Sequence, residues 1–260
     1  MKGIQCLFIK DHVRGRISRM KLKEIELDIP YKENEIRLQQ IQEKRGIDRQ
    51  EAIKIDYALN WKAKRRRFQL ETRCMTAMIE RIMEPVKTED CWKLLFECYE
   101  ESEEDEIVKL LGVYVVRTKF CLEKFWEGDN FNKKKMIIET ILKKINEIKK
   151  NITFDLENVN MACEKIITLG YVNEWVWGKP LKLGKKYVCI EMKHEVQEMY
   201  IYMVFFYAKG EIINKILLAH AVPDEWNYYE YLGKLVKISD NSAALITKKG
   251  EQLIGVCKND

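Results

Sequence analysis

Residues 199–208 read MYIYMVFFYA, ten consecutive apolar or aromatic side chains without a charge. The run is about half the roughly 20 residues that a membrane-spanning helix needs. Its β-branched and aromatic content is that of a strand. A strand apolar on both faces belongs inside a sheet, with neighbours on either side. From Tyr171 onward the surrounding pattern keeps a period of two, and strands are predicted near 171–177, 186–193, 198–208, 211–221, 232–238, 242–247 and 251–257. Turn residues separate them: Gly178 with Pro180, Gly184, Gly210, Pro223, the DNS at 240–242 and Gly250. Sequential strands joined by short turns imply an antiparallel β-meander, either a partly closed barrel or a sheet packed on helices.

Upstream of Tyr171 the period is helical. Leu156, Val159, Cys163, Ile166 and Ile167 mark one helix, stopped by Gly170, and Met136, Ile137, Ile141, Ile145 and Ile148 mark another. Trp92, Leu95, Phe96 and Tyr99 fit a third at i, i+3, i+4, i+7, with Thr88 as its cap. Ser102 followed by Glu103, Glu104 and Asp105 starts a fourth, whose face runs through Ile107, Leu111, Tyr114, Thr118, Cys121, Leu122 and Phe125. Short connections between these elements predict a central antiparallel helical bundle.

The first 85 residues read as two short strands joined by a basic turn, then, past Pro30, as helix. Gly46 interrupts it and Asp48 caps a longer helix that runs to Met83. There Trp61, Phe68, Met75 and Ile82 recur every seven residues beside Ala58 and Ile79, an apolar stripe for the core. Lys62, Arg66, Gln69 and Arg73 line the neighbouring face. The fold class expected is α+β, in three segments: an arginine-rich 1–85, a helical bundle 86–170 and an antiparallel β domain 171–260.

Composition bounds the function. The N-terminus lacks the apolar core and cleavage site of a secretory signal. The eight cysteines are scattered singly with no C-x-x-C spacing, so they read as small apolar residues of a cytoplasmic protein without structural zinc. There is no G-x-S-x-G, no P-loop, no G-x-G-x-x-G and no H-E-x-x-H, which leaves nucleophilic, nucleotide-binding and zinc-hydrolase chemistries without an anchor. No cofactor or metal is expected. His220, in LLAHAVP, reads as a hydrogen-bonded core residue.

Three surfaces compete for function. Lys and Arg number 20 against 13 Asp and Glu in residues 1–85, and eleven of the twelve arginines lie at or before Arg81. Arginine suits bidentate contacts with phosphate, so Arg14, Arg16, Arg19, Lys62, Lys64, Arg65, Arg66, Arg67 and Arg73 form a candidate nucleic-acid surface. Glu191 and Lys193 share one face of a predicted strand, and this E-x-K resembles half of a metal-dependent nuclease pattern over three residues. Its partner aspartate has no match in the preceding strand, where Glu174 is the one acid between Tyr171 and Lys186. The connection VPDEWNYYEYLG at 222–233 crowds aromatics and acids together, the composition of a recognition patch for a basic or amphipathic partner. Its candidates are Asp224, Glu225, Trp226, Tyr228, Tyr229 and Tyr231. The leading reading is a non-catalytic cytosolic binding protein of inhibitor, immunity or adaptor type that engages another protein; nucleic-acid binding is the alternative and the nuclease the minor one.

Overall fold

The computed structural model describes residues 20–101 and 107–257. The first expected strand, the basic turn with Arg14, Arg16 and Arg19, and the Ser102 cap with its acidic run lie outside them. β1 (Met20–Lys21) and β2 (Glu24–Asp28) lead through Pro30 into α1 (Glu35–Arg45) and α2 (Arg49–Asp56). A π-helical turn at Tyr57–Trp61 joins α2 to α3 (Lys62–Ile82). Next come β3 (Lys87–Thr88), β4 (Lys93–Tyr99), β5 (Ile107–Leu110) and β6 (Val113–Lys119), then α4 (Leu122–Glu127), α5 (Asn130–Ile148) and α6 (Glu157–Thr168). The last third holds β7 (Glu174–Leu183), β8 (Lys186–His194), β9 (Met199–Tyr207), β10 (Ile212–Ala221), α7 (Glu225–Tyr228), a 3-10 turn at Tyr229–Tyr231, β11 (Lys234–Ser239), β12 (Ser242–Ile246) and β13 (Gln252–Val256).

The long N-terminal helix forms as its punctuation requires. Gly46 closes α1 in the left-handed conformation at φ 64°, and the Asp48 carboxylate accepts from the Glu51 amide at 2.9 Å to open α2. Phe68 and Met75 are fully buried, while Trp61 and Ile82 pack at the margin of the same core. Ala58 is exposed, because the π turn rotates the helix face just before α3.

The expected helix over 92–99 is a strand. β2, β4 and β6 run parallel in a mixed sheet of order β2-β4-β6-β5, with β5 antiparallel on the edge. Leu94, Phe96 and Cys98 face the core and alternate with Lys93, Leu95, Glu97 and Tyr99. The same eight residues also present a helical stripe, and burial on a sheet decided between the two periods. In Val113–Lys119 the density of Val and Thr is the strand signal that the helical pattern masked. The central bundle therefore reduces to α4, α5 and α6, packed with α3. One apolar cluster, including Ile25, Phe68, Phe96, Tyr114, Ile141 and Ile166, spans both of the first two segments.

All seven C-terminal strands are present. β7 to β10 form a meander of order β10-β9-β8-β7, with β9, the run quoted at the outset, between two neighbours. β11, β12 and β13 form a second antiparallel sheet. Among the described residues no sheet closes on itself, so the α+β class holds without a barrel. A second cluster, with Ile190, Ile201, Phe205, Ala243 and Leu245, fills the space between these two sheets.

Candidate protein-binding site at the Trp226 connection

The link from β10 to β11 is built by short-range chemistry. Pro223 follows the end of β10, and Asp224 adopts extended φ/ψ while its side chain accepts from the Trp226 amide at 3.0 Å, starting the single turn of α7. Tyr228 and Leu232 turn inward to the second core, and Tyr231 packs against it. The recognition set therefore divides: Tyr228 is a core residue, because one side of so short a turn must cover the open end between the sheets. Trp226 is 91% exposed and Tyr229 59% exposed. At the downstream end, a side chain on Gly233 would overlap the Ile246 carbonyl, so bare backbone is required there.

Helix α3 holds this connection from the other side. Arg66 pairs with Asp224. Arg73 donates to Glu225 at 2.6 Å and to Glu80 at 2.7 Å through the same guanidinium nitrogen. Burial alone would depress Arg73, but the hydrogen bonds it donates to Glu80 and Glu225 more than offset it and raise the group. Burial raises the Glu80 carboxyl against the pull of Arg73. A second Glu80 contact ties the cluster to the sheet, since its Oε1 accepts from the Ile25 amide at 2.8 Å on the outer edge of β2.

Between α3, β2 and the connection lies a cleft of about 460 Å³, with Trp92 and Trp226 on its walls and Glu24, Glu26 and Glu225 among its acids. Lys93 spans Glu24, at 2.8 Å, and Glu26. An exposed indole can stack on a guanidinium or ammonium group of a partner. That suits a basic or amphipathic segment.

The arginines are committed to internal carboxylates. Arg65 Nε donates to both oxygens of Asp28 at 2.8 and 2.9 Å. Arg67 reaches Glu71 at 2.6 Å and lies over the Trp126 ring; Glu71 also holds the buried Lys133 at 2.6 Å. Of the candidate phosphate contacts, Lys62 and Lys64 alone hold no carboxylate among the described residues. The structure thus brings Arg66 and Arg73 together with Asp224 and Glu225, merging two surfaces read separately from sequence into one joint.

On β8, Glu191 pairs with Lys215 from β10, and Lys193 stands 3.5 Å from Glu174 and 3.3 Å from Glu195. Among the described residues, no group of three His, Cys, Asp or Glu could hold a metal ion. His220 is exposed, 3.9 Å from Glu198, because it lies on the outer face of the edge strand β10. The core histidine is His194, in alternation with the buried Ile190 and Met192, a signal carried by the period of YVCIEMKH. It is fully buried, stacks edge-on against Tyr228 at 6.1 Å, and neither ring nitrogen has a partner in hydrogen-bonding geometry among the described residues. Burial, together with the charges of Arg73, Arg81 and Lys134, lowers its pKa to about 3 against an opposing pull from the Pro223 carbonyl.

No protein family, curated protein or solved structure matches the chain. No helix among the described residues is long and apolar enough to cross a membrane.

Proposed function

We propose that the chain is a non-catalytic cytosolic protein of inhibitor, immunity or adaptor type, which engages another protein through the Trp226 connection. The observation that carries this reading is an indole 91% exposed on a turn whose flanking residues are fixed. A turn whose backbone is already fixed before binding need not be ordered on docking, and aromatic anchors such as the indole it carries dominate interface energies. Tyr229 extends the exposed aromatic surface, and an exposed indole suits a partner segment that presents a guanidinium or ammonium group. The nucleic-acid alternative rests on Lys62, Lys64 and the arginines outside the described residues, since Arg65, Arg66, Arg67 and Arg73 hold carboxylates.

The test is affinity capture from the native cell with wild type and Trp226→Ala side by side. A stoichiometric protein partner kept by wild type and lost by the variant, at unchanged folding stability, supports the reading. No partner on either bait, or one held equally by both, removes it.

A further inference from the structure

The geometry points to a second binding site, independent of Trp226: a pocket for a planar aromatic molecule carrying one anionic group, at the carboxyl ends of the parallel strands. The chain leaving these ends opens a crevice there. Here the chain leaving β2 contributes Ile29, Pro30 and Tyr31, the end of β4 contributes Cys98 and Tyr99, and Leu122 follows β6. Together with Trp61 and Lys64 they enclose about 470 Å³, within the range of small-molecule sites.

The aromatic walls are held in place. Trp61 Nε1 approaches the Ile29 carbonyl at 3.4 Å, and the Tyr31 ring meets the indole edge-on at 6.1 Å. The Tyr31 hydroxyl donates at 2.6 Å to Asp56, a fully buried carboxylate that also accepts from Arg37 at 2.9 Å and Asn60 at 2.7 Å. Tyr99 is fixed by its hydroxyl on Glu97 at 2.6 Å. Trp61 closes the π-helical turn, where the Lys62 amide reaches back to the Tyr57 carbonyl. Such turns disturb the regular ladder and are often found at functional sites, where they re-aim a side chain.

Lys64 supplies the charge. Its ammonium lies 5.1 Å from the Trp61 ring centroid and holds no carboxylate among the described residues, whereas Arg65, Arg66 and Arg67 directly after it each hold one. Lys32 adds a second cation on the rim, and Glu100 and Glu101 come from the chain leaving β4. An anionic group on the ligand would meet Lys64, with its ring among Trp61, Tyr31 and Tyr99.

The probe is 2-naphthoate, with 2-naphthalenemethanol as its uncharged counterpart, titrated by calorimetry against the full chain. Saturable binding of 2-naphthoate is expected, at least tenfold weaker in Trp61→Ala. In the exposed-site variant Lys64→Met it should weaken at least fivefold, while binding of the alcohol stays constant. Trp226→Ala should bind as wild type does, which separates this site from the protein interface. Absence of saturation at millimolar 2-naphthoate overturns the proposal. So does equal affinity of wild type for acid and alcohol, or wild-type affinity in Lys64→Met.

Discussion

Arg73 and Glu225 lie 152 residues apart in the chain and meet at 2.6 Å, across the joint between helix α3 and the C-terminal sheets. The Arg73 side chain is 20% exposed and shares its guanidinium with Glu80, whose own side chain is largely buried. One residue therefore joins the helix, the edge of β2 and the connection that carries Trp226.

Removal of that cation strands a buried carboxylate. Arg73→Ala should destabilise the protein by about 3 kcal/mol in urea unfolding, the range for breaking a buried pair. Glu225→Ala should cost about 1 kcal/mol or less, because that carboxylate is more exposed. Equal losses would show that the joint does not depend on Arg73 as described.

The inward and outward aromatics of one turn should separate cleanly. Trp226→Ala, at an exposed position, is expected within about 0.5 kcal/mol of wild type. Tyr228→Ala opens the end of the second core and should cost about 3 kcal/mol. Chemical denaturation of the two variants in parallel decides the matter.

His194 gives a pH dependence with a definite sign. Its pKa is about 3 when folded, below its ordinary value of 6.5, so the unfolded chain binds the extra proton. Its contribution is full above about pH 6.5 and is lost as pH falls toward 3. Groups facing the ring include the cations Arg73, Arg81 and Lys134, and the Tyr228 phenol. Between pH 7 and pH 5, wild type should lose about 2 kcal/mol more than His194→Phe, by the linkage relation. Parallel unfolding curves for the two proteins across this range would contradict the burial of an unpaired imidazole.

The basic run of α3 should prove structural when reversed. Arg65→Glu/Arg66→Glu/Arg67→Glu places three acids against Asp28, Asp224 and Glu71, and a loss of about 3 kcal/mol or more is expected from like charges at partly buried sites. Lys62→Glu should change stability by less than about 0.5 kcal/mol. Thermal unfolding compares them directly.

The C-terminal strands were legible because alternation and turn residues agreed, from Gly178 to Gly250. So was the heptad stripe through Phe68 and Met75, and with it the capping by Asp48. The parallel sheet was not, because residues 92–99 satisfy helical and strand periods together and the choice depends on partners far along the chain. Leu94, Phe96 and Cys98 find theirs in β2 and β6. The candidate site was half visible. Crowded aromatics marked residues 222–233, but composition cannot say which of Trp226 and Tyr228 turns inward. Nor could local spacing pair Arg66 with Asp224, 158 positions away.

Gly233 fixes one end of the Trp226 connection by the absence of a side chain, and Asp224 fixes the other through Arg66. A segment moored at both ends can exchange its outward residues without moving its supports. Over evolutionary time, substitution should concentrate at positions 226 and 229, and partner preference with it. Positions 224, 228 and 233 should drift least, since each change there would shift the frame that displays the others.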